Sequence, residues 1–136
     1  PFHSAVGATP GTAEMVCTEN SGLSHLRNGS ADTGVETTQR VAVVALDDCL
    51  PALLAGREIE LMKIDVEGAE LGVLEGADRL LRAGKIKRLH VEICADLLGR
   101  FRTTPEQLWR FLERRGYRPK YRRTDAAIYD EIFERA

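Results

Sequence analysis

Apolar positions along this chain keep two different rhythms. Between Ile86 and Cys94, Leu89, Val91 and Ile93 alternate with His90 and Glu92, the two-residue period of a strand with one buried face. Between Ala69 and Arg82, Leu71, Leu74, Ala77, Leu80 and Leu81 share a face at helical spacing, and Gly84 stops the segment. Thr104 reads as the cap of a second helix, with Pro105 at its first position, Gln107 completing a capping box, and Leu108, Trp109, Phe111 and Leu112 on its apolar face up to Gly116. Ile59 to Asp65 and Val41 to Leu46 read as strands, and Asp47 and Asp48 as N-cap oxygens for a short helix through Leu54.

The ends are plainer. Phe2 to Val6 reads as the tail of a strand, Gly7 to Gly11 as a turn, and Thr12 to Cys17 as the next strand. Thr18 to Thr38, rich in Ser, Asn, Gly and Thr, reads as a long loop. Tyr117 to Tyr121 and Ala126 to Phe133 read as two antiparallel closing strands around an Arg/Thr/Asp turn. Strand, helix, strand, helix, strand, strand predicts right-handed crossovers on a mostly parallel α/β sheet, finished by an antiparallel hairpin.

At 136 residues, with 43% hydrophobic and 29% charged positions, the chain has the size and composition of one domain or part of one. A net charge of −2 gives no overall basic field for nucleic acid. The basic run Arg110, Arg114, Arg115, Arg118, Lys120, Arg122 and Arg123 reads as a solvated helix face and hairpin. Cys17, Cys49 and Cys94 are odd in number and widely spaced, which argues against a disulfide framework or zinc site and for a reducing, cytoplasmic setting. There is neither a membrane-span run nor a signal-peptide pattern. The chain opens at Pro1 in what reads as mid-strand, the mark of a fragment.

Chemistry concentrates in Lys63-Ile64-Asp65-Val66-Glu67-Gly68-Ala69-Glu70. Ligands of open α/β sheets sit beyond the carboxyl ends of strands, which puts Asp65 and Glu67 where a site would form. The plain alternative is that both cap the following helix. Glu92, among apolar neighbours in a strand, needs a partner: a cation, an acceptor hydroxyl or a metal. Glu70 reads as an exposed or capping helix residue and Lys63 as solvent-facing or paired with a nearby acid. Gly68 serves the turn, and Gly76 points to close packing on the sheet. His3 and His25 are loop or terminal residues without ligand spacing, His90 reads as a satisfied surface or core histidine, and Trp109 reads as core.

The run from Lys63 to Glu70, followed by Val73-Leu74-Glu75-Gly76-Ala77, resembles the FkbM family of S-adenosylmethionine-dependent methyltransferases. Ala5-Val6-Gly7 with Gly11, Asn20-Ser21-Gly22-Leu23-Ser24, Val44-Ala45-Leu46-Asp47-Asp48 and Glu92 resemble further family segments, in the right order. The resemblance implies a Rossmann-like class I methyltransferase sheet of order 3-2-1-4-5-7-6. Residues 1–17 would hold its third strand and the one after it, 18–40 a loop, and 41–136 the fourth to seventh strands.

The family's glycine-rich D-x-G-A-N-x-G loop and its second-strand acid do not occur in these residues. The resemblance therefore implies a domain truncated at its amino end, with an unpaired apolar edge along Ile59 to Ile64. It implies S-adenosylmethionine as cofactor, with Ala5, Val6 and Asp65 on its side of the cleft. It also implies Asp65, Glu67 and Glu92 as catalytic candidates toward a hydroxyl of a sugar, glycolipid or secondary metabolite, and weak cofactor binding by the chain alone. No metal is assigned, although catechol-type O-methyltransferases carry a magnesium-binding Asp at the equivalent strand end. Two other classes stay open: a catalytically silent α/β binding domain, and a magnesium-dependent hydrolase using Asp65, Glu67 and Glu92.

Overall fold

The computed structural model describes residues 3–17, 24–27, 37–122 and 126–136. Strands β1 (Ser4–Val6), β2 (Gly11–Cys17), β3 (His25–Leu26) and β4 (Thr37–Val44) form one four-stranded sheet in the order β1-β4-β2-β3. Helix α1 (Leu46–Leu54) then leads to β5 (Met62–Ile64), α2 (Glu70–Glu75), α3 (Asp78–Arg82) and β6 (Arg88–Cys94). After β6 come α4 (Ala95–Arg100), α5 (Pro105–Glu113), β7 (Tyr117–Pro119) and β8 (Ile128–Arg135). These later strands make a second four-stranded sheet, ordered β5-β6-β8-β7. Phe2, the Asn20–Leu23 segment, most of the loop expected over 18–38, and the turn at 123–125 lie outside the described residues.

The expected mostly parallel, Rossmann-like sheet is not what forms. Both sheets are mixed, and among the described residues four of the six strand pairings are antiparallel. Only β1 with β4 and β5 with β6 run parallel. In each sheet a later strand is inserted between earlier ones: β4 between β1 and β2, and β8 between β6 and β7. The residues are consistent with this arrangement. Parallel strands covered on both faces are apolar throughout, whereas Glu14 in β2 and Gln39 and Arg40 in β4 keep a solvated face, as antiparallel strands do. Apolar runs locate strands without fixing partner or direction.

The core lies over the second sheet. Leu89, Val91 and Ile93 of β6 and Phe133 of β8 are fully buried and pack with Leu74, Leu81, Leu108 and Leu112 from the helices. The expected 69–82 helix is broken into α2 and α3 at Gly76-Ala77. Gly76 passes so close to the first sheet that a Cβ there would lie 2.2 Å from the Gly7 carbonyl oxygen, so the close packing read from sequence falls where the helix breaks.

Two caps show how local signals fared. Thr104 and Gln107 form the expected capping box at α5, with Pro105 at its first position. At α1, by contrast, no side chain caps the helix. The Asp47 carboxylate instead accepts the backbone N–H groups of Arg79 at 2.7 Å and Leu80 at 3.0 Å, capping α3 from a distance in sequence. Among the described residues no helix is long and apolar enough to cross a membrane.

Candidate functional site

Strand β5 ends at Ile64, and the chain must turn at once to start α2. The turn is built from two left-handed residues, Glu67 at φ 56° and Gly68 at φ 105°. Glycine is required at 68 twice over: its φ disfavours a side chain, and a Cβ would lie 2.3 Å from the Leu97 carbonyl oxygen. Glu70, the first residue of α2, is only 2% exposed. Its Oε1 accepts the N–H groups of Val66 at 3.3 Å and Gly68 at 3.0 Å. Burial pushes the Glu70 carboxyl above its ordinary pKa, against the lowering effect of these backbone bonds.

The turn carries Asp65 and Glu67 toward Glu92 on β6. One carboxylate oxygen from each of the three lies within 4.8 Å of the others. Partial burial, then the charges of Asp65, Glu67, Asp130 and Glu70, raise the Glu92 carboxyl above its ordinary pKa. Asp130 stands directly across from Glu92 in the β6–β8 register. Lys63 supplies positive charge: its Nζ donates to Asp65 Oδ2 at 2.7 Å, and that bond with Asp65's charge raises the lysine pKa. On the same strands, His90 Nε2 lies 3.0 Å from Asp130 Oδ1. Such a group can take up a proton, hold a hydroxyl or supply oxygen ligands to a hard cation.

A cleft of about 620 Å³ opens beside this group, between the first sheet and the end of β5. Ala5 and Val6 of β1, Val41 and Ala42 of β4, and Val66 and Ala69 of the turn give it small apolar walls. Ser4, Gln39, Arg40 and Asp65 add polar groups, and His3 and His25, which had no ligand spacing in sequence, also line it. Its volume is in the range of small-molecule sites, and its lining mixes apolar and polar side chains in nearly equal number. Ala5, Val6 and Asp65 therefore share one cleft, while Glu67 and Glu92 stand outside its lining. Asp65 alone belongs to both the cleft and the carboxylate group.

The side chain that accepts the N–H groups of Val66 and Gly68 just before α2 is that of Glu70, not Asp65 or Glu67. What sequence reading missed is the burial of Glu70, read as an exposed or capping position. The one available signal is its spacing, two residues after a glycine that must turn left-handed. Trp109 is half-buried, packed edge-on against Phe133 at 5.8 Å between ring centroids, which fits its reading as core.

The geometry describes a domain whose cleft has a mixed apolar and polar wall on one sheet and an acidic strand end on the other. Residues 3–119 match the Methyltransferase FkbM domain family, and the chain belongs to that family of methyltransferases. No curated protein and no solved structure matches the chain.

Proposed function

We propose that this chain forms the acceptor side of an S-adenosylmethionine-dependent O-methyltransferase. Family membership supports methyl transfer, and the carrying observation is the double position of Asp65, on the cleft wall and in the carboxylate group. Ala5 and Val6 would flank the cofactor and Asp65 would face its reactive end. When bound, the cofactor supplies an electrophilic methyl group. The protein's own task is then to place an acceptor hydroxyl in line and remove its proton.

Asp65 is the residue for that task. Its Oδ2 accepts from the Lys63 ammonium, and the other oxygen is available to take the hydroxyl proton. Glu67 and Glu92 would receive neighbouring hydroxyls of the acceptor, which suits a sugar, a glycolipid or a polyhydroxylated secondary metabolite.

The test is incubation with methyl-labelled S-adenosylmethionine and a panel of such hydroxyl compounds, run on the longest natural polypeptide containing this sequence. Label recovered as an O-methyl ether is the expected result. Ester or phosphate release that needs magnesium and no cofactor would favour the hydrolase instead. For residues 1–136 alone, calorimetry should show S-adenosylmethionine binding weaker than micromolar, because the glycine-rich loop is not among them.

A further inference from the structure

Glu70 has no place in the chemistry just proposed, yet it is one of the most deeply buried charged side chains among the described residues. Its Oε2 has no hydrogen-bond partner. A buried carboxylate with one oxygen unpartnered works against stability, so its placement calls for an explanation in the turn it holds.

The two N–H groups that Glu70 Oε1 accepts belong to Val66 and Gly68, the residues on either side of Glu67. Glu67 itself is in the left-handed region at φ 56°, a conformation that costs a non-glycine residue about 1–3 kcal/mol and persists only where its surroundings impose it. Gly68, against the Leu97 carbonyl, fixes the far side of the turn. One carboxylate oxygen thus ties the Asp65–Val66 peptide, one residue before the strained position, to the Glu67–Gly68 peptide directly after it. In that conformation the Glu67 carboxylate meets Asp65 and Glu92. Were Glu67 to relax to a negative φ, its side chain would leave in another direction and the group of three would lose a member.

We propose that Glu70 is a positioning residue. It clamps the strand-to-helix turn in the left-handed form that brings Glu67 to Asp65 and Glu92, and so shapes the acceptor side of the cleft. The clamp is a statement about the turn; its effect on catalysis rests on the methyltransferase reading above. Glu70 touches no reacting atom and acts only through Glu67.

The experiment compares Glu70→Ala with Glu70→Gln in the 136-residue chain. The readouts are the backbone φ of Glu67, from residual dipolar couplings, and the carboxyl titration of Glu92, from carbon-detected NMR. Glutamine keeps an acceptor oxygen, so Glu67 should stay left-handed and Glu92 should keep a raised titration. Alanine removes the acceptor, so φ at Glu67 should turn negative and the Glu92 titration should fall below that of Glu70→Gln, while Glu92's own burial and the Asp65 charge still hold it raised. A left-handed Glu67 in Glu70→Ala would overturn the clamp, and so would a relaxed Glu67 in Glu70→Gln. If Glu70→Ala fails to fold, the glutamine variant decides by the same criterion.

Methyl transfer in the longest natural polypeptide separates the two claims. A loss of about 100-fold in kcat with alanine, largely spared with glutamine, is the size expected when a site is misplaced by about an ångström. Absence of methyl transfer in the wild-type protein would sink the functional reading and leave the φ measurement to judge the clamp.

Discussion

The two sheets have the same number of strands and very different interiors. The second, β5-β6-β8-β7, carries the core, with Leu89, Val91, Ile93 and Phe133 fully buried under the helices. In the strands of the first, β1-β4-β2-β3, Val16 is the one buried apolar residue among those described. The first sheet contributes one wall of the cleft, and the second contributes the acids. The buried core and the acids therefore sit together on the second sheet, while the first buries little of its own.

That contrast is broken or sharpened most strongly by paired truncations. Leu89→Ala, in the middle of β6, should cost about 3–4 kcal/mol in urea unfolding, because it opens a cavity in a fully packed layer. Val41→Ala, half-buried in β4 on the cleft wall, should cost under about 1.5 kcal/mol by comparison. Equal costs would mean that the first sheet has a core of its own.

A middle-sized effect tests the junction. Asp47 follows the first sheet in the chain and caps α3 over the second, so Asp47→Ala should cost about 1–2 kcal/mol. Asp48→Ala, whose exposed carboxylate meets only the exposed Arg79 side chain, should change the unfolding midpoint little. If the two variants behave alike, the remote cap is not what joins the regions.

The smallest effect is a pH slope. Burial raises the Glu70 carboxyl above its unfolded value. For a raised group the stabilising contribution is complete below the unfolded pKa and is lost as pH rises through the folded one. Wild-type stability should therefore carry a downward component as pH rises above about 4, the unfolded carboxyl range, and Glu70→Gln should lack it. Urea midpoints measured for both proteins across that window check the difference, and parallel curves would remove Glu70 as its source.

The sequence carried the second sheet better than the first, for a physical reason. Alternation in Ile86 to Cys94 and the Thr104–Gln107 box are signals contained within a few residues, and both survive in the fold. The parallel sheet expected from the strand–helix order failed, because direction depends on which strand finds which edge and no local residue encodes it. Helix α4 went unread because it begins directly after β6, from Cys94, without a side-chain cap. Asp47 was read correctly as a capping residue and assigned to the wrong helix, since its partners lie more than thirty positions away.

The site shows the same division. Asp65 and Glu67 were legible as acids at a strand end and Glu92 as a charge inside an apolar strand, and the fold brings all three together. Ala5 and Val6 were placed near the cofactor through family resemblance, and they share a cleft with Asp65. Glu70 was missed because a glutamate at the start of a helix ordinarily faces water; its burial depends on the left-handed turn before it.

The central claim is that Asp65 performs proton removal or anchoring for an acceptor hydroxyl while the cofactor is held elsewhere in the cleft. The most direct test is Asp65→Asn in the longest natural polypeptide containing this sequence, with methyl-transfer kinetics and S-adenosylmethionine binding measured side by side. The account predicts a fall in kcat of about 10²–10⁴-fold, the range of general acid–base contributions, with cofactor affinity nearly unchanged. Wild-type turnover in Asp65→Asn, or a loss confined to cofactor affinity, would contradict it.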